Sequence, residues 1–342
     1  MTVENLEGLD LNALDRHLRS EGVPRSGELR AELIAGGRSN LTFRVRDDAS
    51  AWVLRRPPLH GLTPSAHDMA REYKVVAALS GTRVPVARAV TMSNDDSVLG
   101  APFQMVENVE GRVVRSAQEL DALGDQTVIS KTVDALIKVL ADLHAVNPDA
   151  VGLGDFGKAD GYLERQVRRW GSQWDLVRLP DDPRDDDVKR LHQSLAEAIP
   201  AQSGVSIVHG DYRIDNTILD AEDPTKVRAV LDWELSTLGD PLSDAALMCV
   251  YRDPRLDLVL SMEAAWCAPQ IPSPDELAER YATASGRDLA HWDFYVALAN
   301  FKLAIIAAGI DFRSRQGSVA EGAVDVGAAV APLIGAGLRA LG

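Results

Sequence analysis

The chain has 342 residues, 46% of them hydrophobic and 25% charged, so it can bury a sizeable core and is too apolar for wholesale disorder. Its formal net charge of −15 argues against nucleic acid or an anionic membrane as the main partner. The cysteines, Cys249 and Cys267, make neither a metal-ligand pair nor a disulfide framework, which fits a reducing compartment.

The chain starts without the features of a secretory signal. "MTVENLEGLDLNALDRHL" has neither a basic region nor an apolar run. The most apolar late stretch, "VALANFKLAIIAAGI" at 296–310, is shorter than a membrane span and carries Asn300 and Lys302, so it predicts a buried helix. We therefore expect a cytoplasmic protein with no membrane partner.

The first third of the chain has the pattern of a small sheet. Residues 9–21 predict a short amphipathic helix, and "ELRAELIAGGRSNLTFRVRDDASAWVLRRPP" predicts three strands, the first two separated by a glycine pair. Residues 67–80 predict a helix, and two more strands are expected near 86–92 and 101–106. The first 106 residues thus predict an antiparallel sheet with one helix inserted after its third strand.

The remainder of the chain is mainly helical in pattern. Apolar residues within 126–146 recur at spacings of three and four, which predicts a buried helix face. Residues 160–200 predict helices joined by a solvated acidic loop, "PDDPRDDD", and 241–342 predict mostly helix. Between them, "SIVHGDYRIDNTILD" and "KVRAVLDWE" predict a strand hairpin. We predict two domains, 1–106 and 107–342.

The hairpin carries the densest set of polar residues. Asp211 and Asn216 lie at one end of it, and the returning strand ends at Asp232. If the three side chains converge, their oxygen atoms form a hard ligand set that suits Mg²⁺ rather than Zn²⁺. Asp211 is then free to accept a proton from a hydroxyl group.

This spacing is the kinase catalytic-loop pattern, H-x-D-x-x-x-x-N followed by a metal-binding Asp, present here as "HGDYRIDN" and "DWE". With Gly after His and Trp after the second Asp, the chain resembles the aminoglycoside phosphotransferase and choline kinase-like family. It is most similar to the kinase-like domains fused to some acyl-CoA dehydrogenases, through "GGRSNLTFRV", "WVLRRPP", "HDMAREYKVVAAL", "LDWELSTLGDPLSDAA" and "GIDFRSRQG". The resemblance covers roughly residues 30–317.

The resemblance implies an α+β, two-lobed protein-kinase-like fold, with a small antiparallel β-sheet N-lobe and a larger, mainly α-helical C-lobe. It implies that ATP binds in the first lobe with Mg²⁺ as cofactor. Asp211 matches the catalytic base, and Asn216 and Asp232 match the metal ligands. Arg213 lies where protein kinases often keep a Lys near the transferred phosphate.

The implied nucleotide site draws on residues of the first lobe, namely Gly36, Gly37, Ser39, Asn40, Val53, Arg55, Glu72, Met105, Glu107 and Asn108. The "GGRSN" turn would cover the phosphates, and Val53 would pack against one face of the adenine ring. "QMVENVEG" would be the hinge whose backbone groups bind the adenine. Arg55 stands where the family pattern has Lys, with Glu72 as its partner. A guanidinium keeps the charge and can pair with both phosphate and carboxylate.

Further residues in this part of the chain have structural interpretations. Asp240 is expected to cap a helix that starts at Pro241, and Asp244 to brace the catalytic loop through its backbone. Trp170 and Trp174 are expected to pack, with lining of a substrate pocket as the alternative.

The predicted function is a small-molecule kinase that transfers the γ-phosphate of ATP to a substrate hydroxyl, with a hydroxyacyl metabolite as the acceptor implied by the resemblance. Two alternatives stay open: an aminoglycoside antibiotic phosphotransferase, and a non-catalytic nucleotide-binding pseudokinase, which Arg55 favours. The sequence leaves open the identity of the acceptor, the choice between ATP and GTP, and the oligomeric state, a homodimer included.

Overall fold

The structure is a computed structural model, and the residues that it describes are 6–35, 40–59, 68–316 and 325–342. The chain folds into two compact units, of which the first comprises Met1–Glu110 and Arg228–Ser236 and the second comprises Gly111–Val227 and Thr237–Gly342. The assignment of nucleotide binding to 1–106 and of catalysis and substrate binding to 107–342 stays a prediction.

The first unit is built on an antiparallel sheet. Its strands are β1 (Arg30–Ala35), β2 (Leu41–Arg46), β3 (Ala51–Arg56), β4 (Ala89–Ser93) and β5 (Phe103–Glu107). Among the described residues they form one five-stranded sheet in the order β1-β2-β3-β5-β4. Its helices are α1 (Leu11–Ser20), α2 (Met69–Leu79) and α3 (Asp96–Leu99). The predicted small sheet, with a helix after its third strand, is confirmed.

The side chains of strand β3 alternate between the two faces of this sheet. Trp52 and Leu54 are buried and pack with Leu14 of α1 in one apolar cluster. Val53 and Arg55 alternate with them, so both lie on the opposite face and are partly exposed. Each large apolar side chain buried in the cluster stabilises the fold by about 1.5–3 kcal/mol. This packing holds β3 in register and so fixes the side of the sheet on which Val53 and Arg55 lie.

Helix α2 begins at the cap residue Asp68, whose carboxylate accepts a hydrogen bond from a backbone N–H of its first turn. Its buried face is formed by Met69, Glu72, Val75, Val76 and Leu79. A carboxylate among four apolar residues must be satisfied by a partner. Tyr73 of the same helix is only partly buried.

The second unit is mainly helical. Its helices are α4 (Ala117–Asp121), α5 (Gln126–Ala145), α6 (Tyr162–Val177), α7 (Asp185–Glu197), α8 (Pro241–Val250), α9 (Arg255–Leu260), α10 (Pro274–Ser285), α11 (Trp292–Arg315) and α12 (Val330–Ala340). The later strands of the chain are β6 (Ser206–Val208), β7 (Thr217–Leu219), β8 (Val227–Val230) and β9 (Thr237–Gly239). Strands β6 and β9 pair antiparallel, with Ile207 opposite Leu238. The chain returns to the first unit at Arg228, inside β8.

Helix α5 confirms the predicted apolar face. Ile129, Val133, Leu136, Leu140 and Leu143 are all buried. Asp125 caps the helix by accepting hydrogen bonds from two backbone N–H groups of its first turn. This helix is therefore anchored in the core of the second unit by its apolar face.

Helix α11 is longer than the predicted run at 296–310. It has 24 residues and, of the described residues, is the one helix long and apolar enough to cross a membrane. However, 72% of its most apolar window is buried inside the protein, so its apolar character is explained by core packing. The prediction of a buried helix is confirmed, while the helix is longer than the apolar run, which was expected to be too short to span a membrane.

The acidic stretch "PDDPRDDD" begins in the loop between α6 and α7 and most of its residues are exposed, so the predicted solvated loop is confirmed in part, with Asp182 as the exception. Asp182 is only 5% exposed and accepts hydrogen bonds from Arg184 Nε (2.7 Å) and Nη2 (2.6 Å). These hydrogen bonds lower the pKa of Asp182 to about 2. Helix α7 begins at Asp185, where acidic residues complement the positive end of the helix dipole.

Candidate active site

The loop that follows β6 is held from beneath by one buried carboxylate. Asp244 of α8 accepts hydrogen bonds from the backbone N–H groups of His209 (2.5 Å) and Gly210 (2.8 Å). Gly210 has a φ of 85°, a left-handed conformation that favours glycine. The predicted brace by Asp244 is confirmed, and so is the cap on α8, because Asp240 accepts from the Leu242 N–H at 3.0 Å.

Asp244 is ionised although it is only 3% exposed. Burial raises the pKa of this carboxyl group, but hydrogen bonds from His144 and the His209 backbone outweigh it and hold the pKa below its ordinary value. The His144 ring lies between Asp244 and Tyr281, with Nε2 3.4 Å from an Asp244 carboxylate oxygen and Nδ1 2.7 Å from the Tyr281 hydroxyl. The catalytic loop is thus anchored to a negative charge that the interior keeps in place.

Within the second unit the structure brings Asp211, Arg213 and Asn216 together. Asn216 Nδ2 donates to the backbone carbonyl of Asp211 (2.8 Å) and to its Oδ2 (3.0 Å). Arg213 Nη2 lies 3.3 Å from the same Oδ2. Because Asn216 uses its NH₂ group in these contacts, its Oδ1 is left without a hydrogen bond from the described residues, as a metal ligand requires.

Several residues near Asp211 were missed by sequence reasoning. The Tyr251 hydroxyl donates to Asp211 Oδ1 at 2.6 Å, and Lys302 Nζ donates to the Gly210 carbonyl at 2.7 Å. Burial lowers the pKa of Lys302, and the charge of Asp211 opposes that shift. Asp215 Oδ1 lies 3.2 Å from Arg213 Nε. No local spacing identifies Tyr251 or Lys302, because each reaches the loop from a distant helix.

Within the first unit the structure brings Arg55, Glu72 and Asp232 together. Arg55 Nη1 donates to Glu72 Oε2 at 2.7 Å, and Arg55 Nη2 lies 3.9 Å from Asp232 Oδ1. Gln104 of β5, which the sequence did not single out, donates from Nε2 to the same Glu72 oxygen at 2.7 Å. Arg55 is therefore fixed at Glu72 with its second nitrogen directed toward Asp232.

Asp232 has the features of an unsatisfied metal ligand. Its φ of 60° and ψ of 65° place it in the left-handed region, which is uncommon for residues other than glycine. Its Oδ1 is buried and accepts no hydrogen bond from the described residues. Burial raises the pKa of neighbouring Glu72, Arg55 opposes this, and the charge of Asp232 adds to it. A cation at Asp232 would relieve that repulsion.

Each of the two predicted ligands, taken by itself, is of a kind that fits magnesium. An Asp carboxylate and an Asn amide oxygen are hard ligands, and Mg²⁺ usually takes one or two such protein ligands with water and substrate phosphates completing the shell. The part of the chain that the structure describes holds no cluster of three or more His, Cys, Asp or Glu side chains suited to a metal.

The predicted nucleotide residues of the first strands are only partly described. Gly36, Gly37 and Ser39 lie outside the described residues. Asn40 is 2% exposed, and both polar atoms of its amide lack a partner among the described residues. Val53 shares the face of β3 that carries Arg55. An unpaired buried amide is costly, so Asn40 is suited to a polar ligand.

The predicted hinge residues are largely engaged within the first unit. The Met105 side chain is fully buried in the apolar cluster around α1, so it faces away from Val53. The Glu107 N–H donates to the Arg88 carbonyl (2.8 Å), and the Asn108 N–H donates to the Ala51 carbonyl (3.0 Å). Nucleotide contacts at these three positions stay a prediction, and these two N–H groups are already used.

Residues 30–295 match the family model described as "Phosphotransferase enzyme family". The chain belongs to this family. It is 34% identical over 310 residues to acyl-CoA dehydrogenase family member 11 of Homo sapiens, a match that covers 89% of this chain and 39% of that protein. Member 10 of Mus musculus is 33% identical over 317 residues, covering 91% and 29%. The chain thus spans two fifths or less of the length of these two relatives.

Solved structures agree with the fold. A Ralstonia eutropha protein provisionally called an aminoglycoside phosphotransferase is 33% identical, with a TM-score of 0.83 and coverage of 97% of this chain and 98% of that one. A ternary complex of aminoglycoside phosphotransferase APH(4)-Ia with AMP-PNP and hygromycin B has a TM-score of 0.63 at 15% identity, covering 96% and 98%. The latter similarity shows the fold alone. The predicted α+β class, an antiparallel sheet followed by a helical region, is confirmed.

Proposed function

We propose that this member of the phosphotransferase family is a small-molecule kinase that transfers the γ-phosphate of ATP to a hydroxyl group. One observation carries the proposal: Asp211 lies in a loop braced by Asp244, with Asn216 and Arg213 on its carboxylate. A rigid carboxylate beside a metal-ligand amide is the arrangement that phosphoryl transfer to a hydroxyl requires.

Each side chain has a defined task in this proposal. Asp211 orients the acceptor hydroxyl and takes its proton, while Arg213 and Arg55 offset negative charge on the phosphates. Asn216 and Asp232 would hold Mg²⁺, which supplies further charge neutralisation when it is bound. The work of the protein is positioning and electrostatic stabilisation, because phosphoryl transfer needs little other chemistry from side chains.

We propose ATP as the phosphate donor. The APH(4)-Ia structure contains AMP-PNP, and a structure of aminoglycoside 2'-phosphotransferase-IIIa contains GDP, so proteins of this fold take either purine nucleotide. The contact of Arg55 with Glu72 supports an active phosphate site, since the pair is formed with arginine in place of the usual lysine. This weakens the pseudokinase alternative, for which Arg55 was the feature in favour.

We propose a hydroxylated acyl chain as the acceptor, free or as a thioester. The support is the similarity to acyl-CoA dehydrogenase family members 10 and 11 over most of this chain. An aminoglycoside is the second candidate, because the APH(4)-Ia complex contains hygromycin B. A polycationic acceptor needs available carboxylates, and Asp182 of the acidic stretch is already neutralised by Arg184.

The test is transfer of labelled γ-phosphate from ATP, with Mg²⁺, to hydroxy acids, their CoA esters, kanamycin and hygromycin B. Asp211→Asn is the matched control, since it keeps the shape of the side chain and removes the base. We expect a phosphorylated hydroxyacyl product with wild-type protein and none with Asp211→Asn. Equal transfer by both proteins, or no transfer to any acceptor, would contradict the proposal.

A further inference from the structure

Tyr251 reaches the carboxylate of Asp211 from outside the catalytic loop. It follows the last residue of α8, is 3% exposed, and donates its hydroxyl hydrogen to Asp211 Oδ1 at 2.6 Å. Burial and the charge of Asp211 both raise the pKa of Tyr251 well above its ordinary value. The hydroxyl therefore remains protonated and acts as a donor to the base.

The hydrogen bonds on Asp211 leave little of its carboxylate available. An ionised carboxylate offers roughly four lone-pair sites, two on each oxygen. Asn216 and Arg213 occupy Oδ2, and Tyr251 occupies one site of Oδ1. An acceptor hydroxyl bound to Asp211 must use the remaining site on Oδ1, directly beside the Tyr251 oxygen.

Tyr251 also lies against the arginine of the loop. The Arg213 guanidinium is 5.3 Å from the centroid of the Tyr251 ring, and its nitrogens contact Asp211 and Asp215. The ring and the two carboxylates thus fix the plane of the guanidinium. One tyrosine therefore restrains both charged groups that the proposed reaction needs in this loop.

We propose that Tyr251 is a positioning residue for phosphoryl transfer: its hydroxyl fixes the rotation of the Asp211 carboxylate so that one lone pair of Oδ1 meets the acceptor hydroxyl. This inference rests on the proposed function. The acceptor proton goes to Asp211, and Tyr251 keeps its own proton throughout. Without the Tyr251 hydroxyl, the carboxylate can turn and the acceptor is no longer aligned.

The chain offers a matched control. Tyr295 is likewise buried, and its hydroxyl donates to Asp240 Oδ2 at 2.8 Å. Asp240 caps α8 and has no role in the proposed chemistry. Tyr295→Phe therefore removes the same kind of tyrosine–aspartate hydrogen bond as Tyr251→Phe, and it reports the structural cost alone.

The first measurement is Mg²⁺-dependent formation of ADP from ATP, with water as the acceptor. We expect Tyr251→Phe to lower kcat by roughly tenfold to hundredfold, the usual loss when a reacting group is misplaced, with the KM for ATP within about twofold of wild type. Tyr295→Phe should change neither constant by more than about twofold. Equal losses of kcat in both variants, or an unchanged kcat in Tyr251→Phe, would overturn the inference.

The second measurement does not depend on turnover. A crystal structure of Tyr251→Phe should show the Asp211 carboxylate rotated away from Asn216 Nδ2 or divided between orientations, whereas Tyr295→Phe should keep it in place. An unrotated Asp211 carboxylate in Tyr251→Phe rejects a positioning role. Wild-type protein that turns over no ATP with any acceptor contradicts the proposed function instead, and the crystal structures still decide the role of Tyr251.

Discussion

Arg55 and Glu72 form an ion pair in which Glu72 is buried and Arg55 is partly exposed. The Glu72 side chain is 4% exposed and that of Arg55 is 24% exposed. The family resemblance implied the pair, because a strand-three cation and a carboxylate in the next helix are part of the kinase pattern. Gln104 could not be predicted in this way, since it reaches Glu72 from β5, where it lies opposite Arg55.

We expect Glu72→Gln to weaken the binding of an ATP analogue by roughly tenfold, because Arg55 loses the charge that directs it. The amide keeps the shape of the side chain and can still contact Gln104. Titration with a fluorescent ATP analogue measures the dissociation constant. Glu32→Gln, which alters the exposed pair with Arg44, is the control and should leave affinity unchanged. Unchanged affinity in Glu72→Gln would show that the pair does not serve the nucleotide.

Asp232→Asn should remove the Mg²⁺ dependence of nucleotide binding, because a neutral amide replaces the charged metal ligand. We expect the affinity gained on adding Mg²⁺ to fall by roughly tenfold or more. Asp181 also has a positive φ, of 54°, so Asp181→Asn tests the same exchange at a residue whose φ is close to that of Asp232. If both variants respond to Mg²⁺ as the wild type does, Asp232 is not a ligand.

His144 predicts a pH dependence of stability. Burial lowers its pKa from an ordinary value of 6.5, while Asp244 and Asp240 oppose the shift and Arg287 adds to it. Because the unfolded chain takes up a proton at about pH 6.5 and the folded protein does not, this contribution to stability is full above that pH and is lost as the pH falls.

The test is the free energy of unfolding of His144→Gln and of wild-type protein at ~pH 7.5 and ~pH 5.5. We expect the wild type to lose more stability than the variant between the two conditions. Two titratable side chains contact His144. Tyr281 keeps its proton in this range, since burial raises its pKa, and Asp244 stays ionised, since hydrogen bonds hold its pKa below the ordinary value. An equal loss in both proteins would show that His144 is not the group responsible.

At the scale of elements, the sequence located the parts of the site that lie within one short segment. Asp211, Arg213 and Asn216 fall within eight residues of His209, so their spacing carries the pattern. Tyr251 reaches the loop from the end of α8, 40 residues away, in a helix whose apolar sequence indicates only burial. Contacts between distant helices depend on packing, which no local spacing encodes.

The differences from prediction in the helical unit have local causes instead. The end of α11 extends beyond its apolar run because Arg313 and Arg315 suit the negative end of a helix. The acidic stretch was expected to be solvated, but Arg184 neutralises Asp182 from two residues away. In both places a charged sequence was compatible with more than one structure, and local contacts of the charged side chains decided between them.

Helix α8 should depend strongly on its cap. Asp240 accepts hydrogen bonds from the backbone N–H groups of Leu242 (3.0 Å) and Ser203 (2.7 Å) and from the Tyr295 hydroxyl (2.8 Å). Asp240→Ala should therefore cost about 2–3 kcal/mol of stability, more than the ~1 kcal/mol of a simple cap. Asp10→Ala, which removes the exposed cap of α1, measures the stability cost of losing a simple cap. Urea denaturation measures the free energy of unfolding of both variants. Equal losses would contradict the larger role given to the Asp240 cap.

At the scale of the whole molecule, the proposed function draws on both compact units. Arg55, Glu72 and Asp232 belong to the first unit, and Asp211 and Asn216 belong to the second. The sequence-based division placed Asp232 with 107–342, whereas the chain returns to the first unit for the short segment that carries it. Such a return is set by tertiary packing and leaves no mark in local sequence patterns.

The central claim is that Asp211, Asn216 and Asp232 act on one metal–nucleotide complex. The most direct measurement is a crystal structure with AMP-PNP and Mn²⁺, in which anomalous scattering locates the metal. We predict that Asn216 Oδ1 and a carboxylate oxygen of Asp232 both ligate Mn²⁺ bound to the nucleotide phosphates, with Asp211 free to meet an acceptor. Metal bound by residues of only one unit, or a nucleotide held away from these side chains, would contradict the claim.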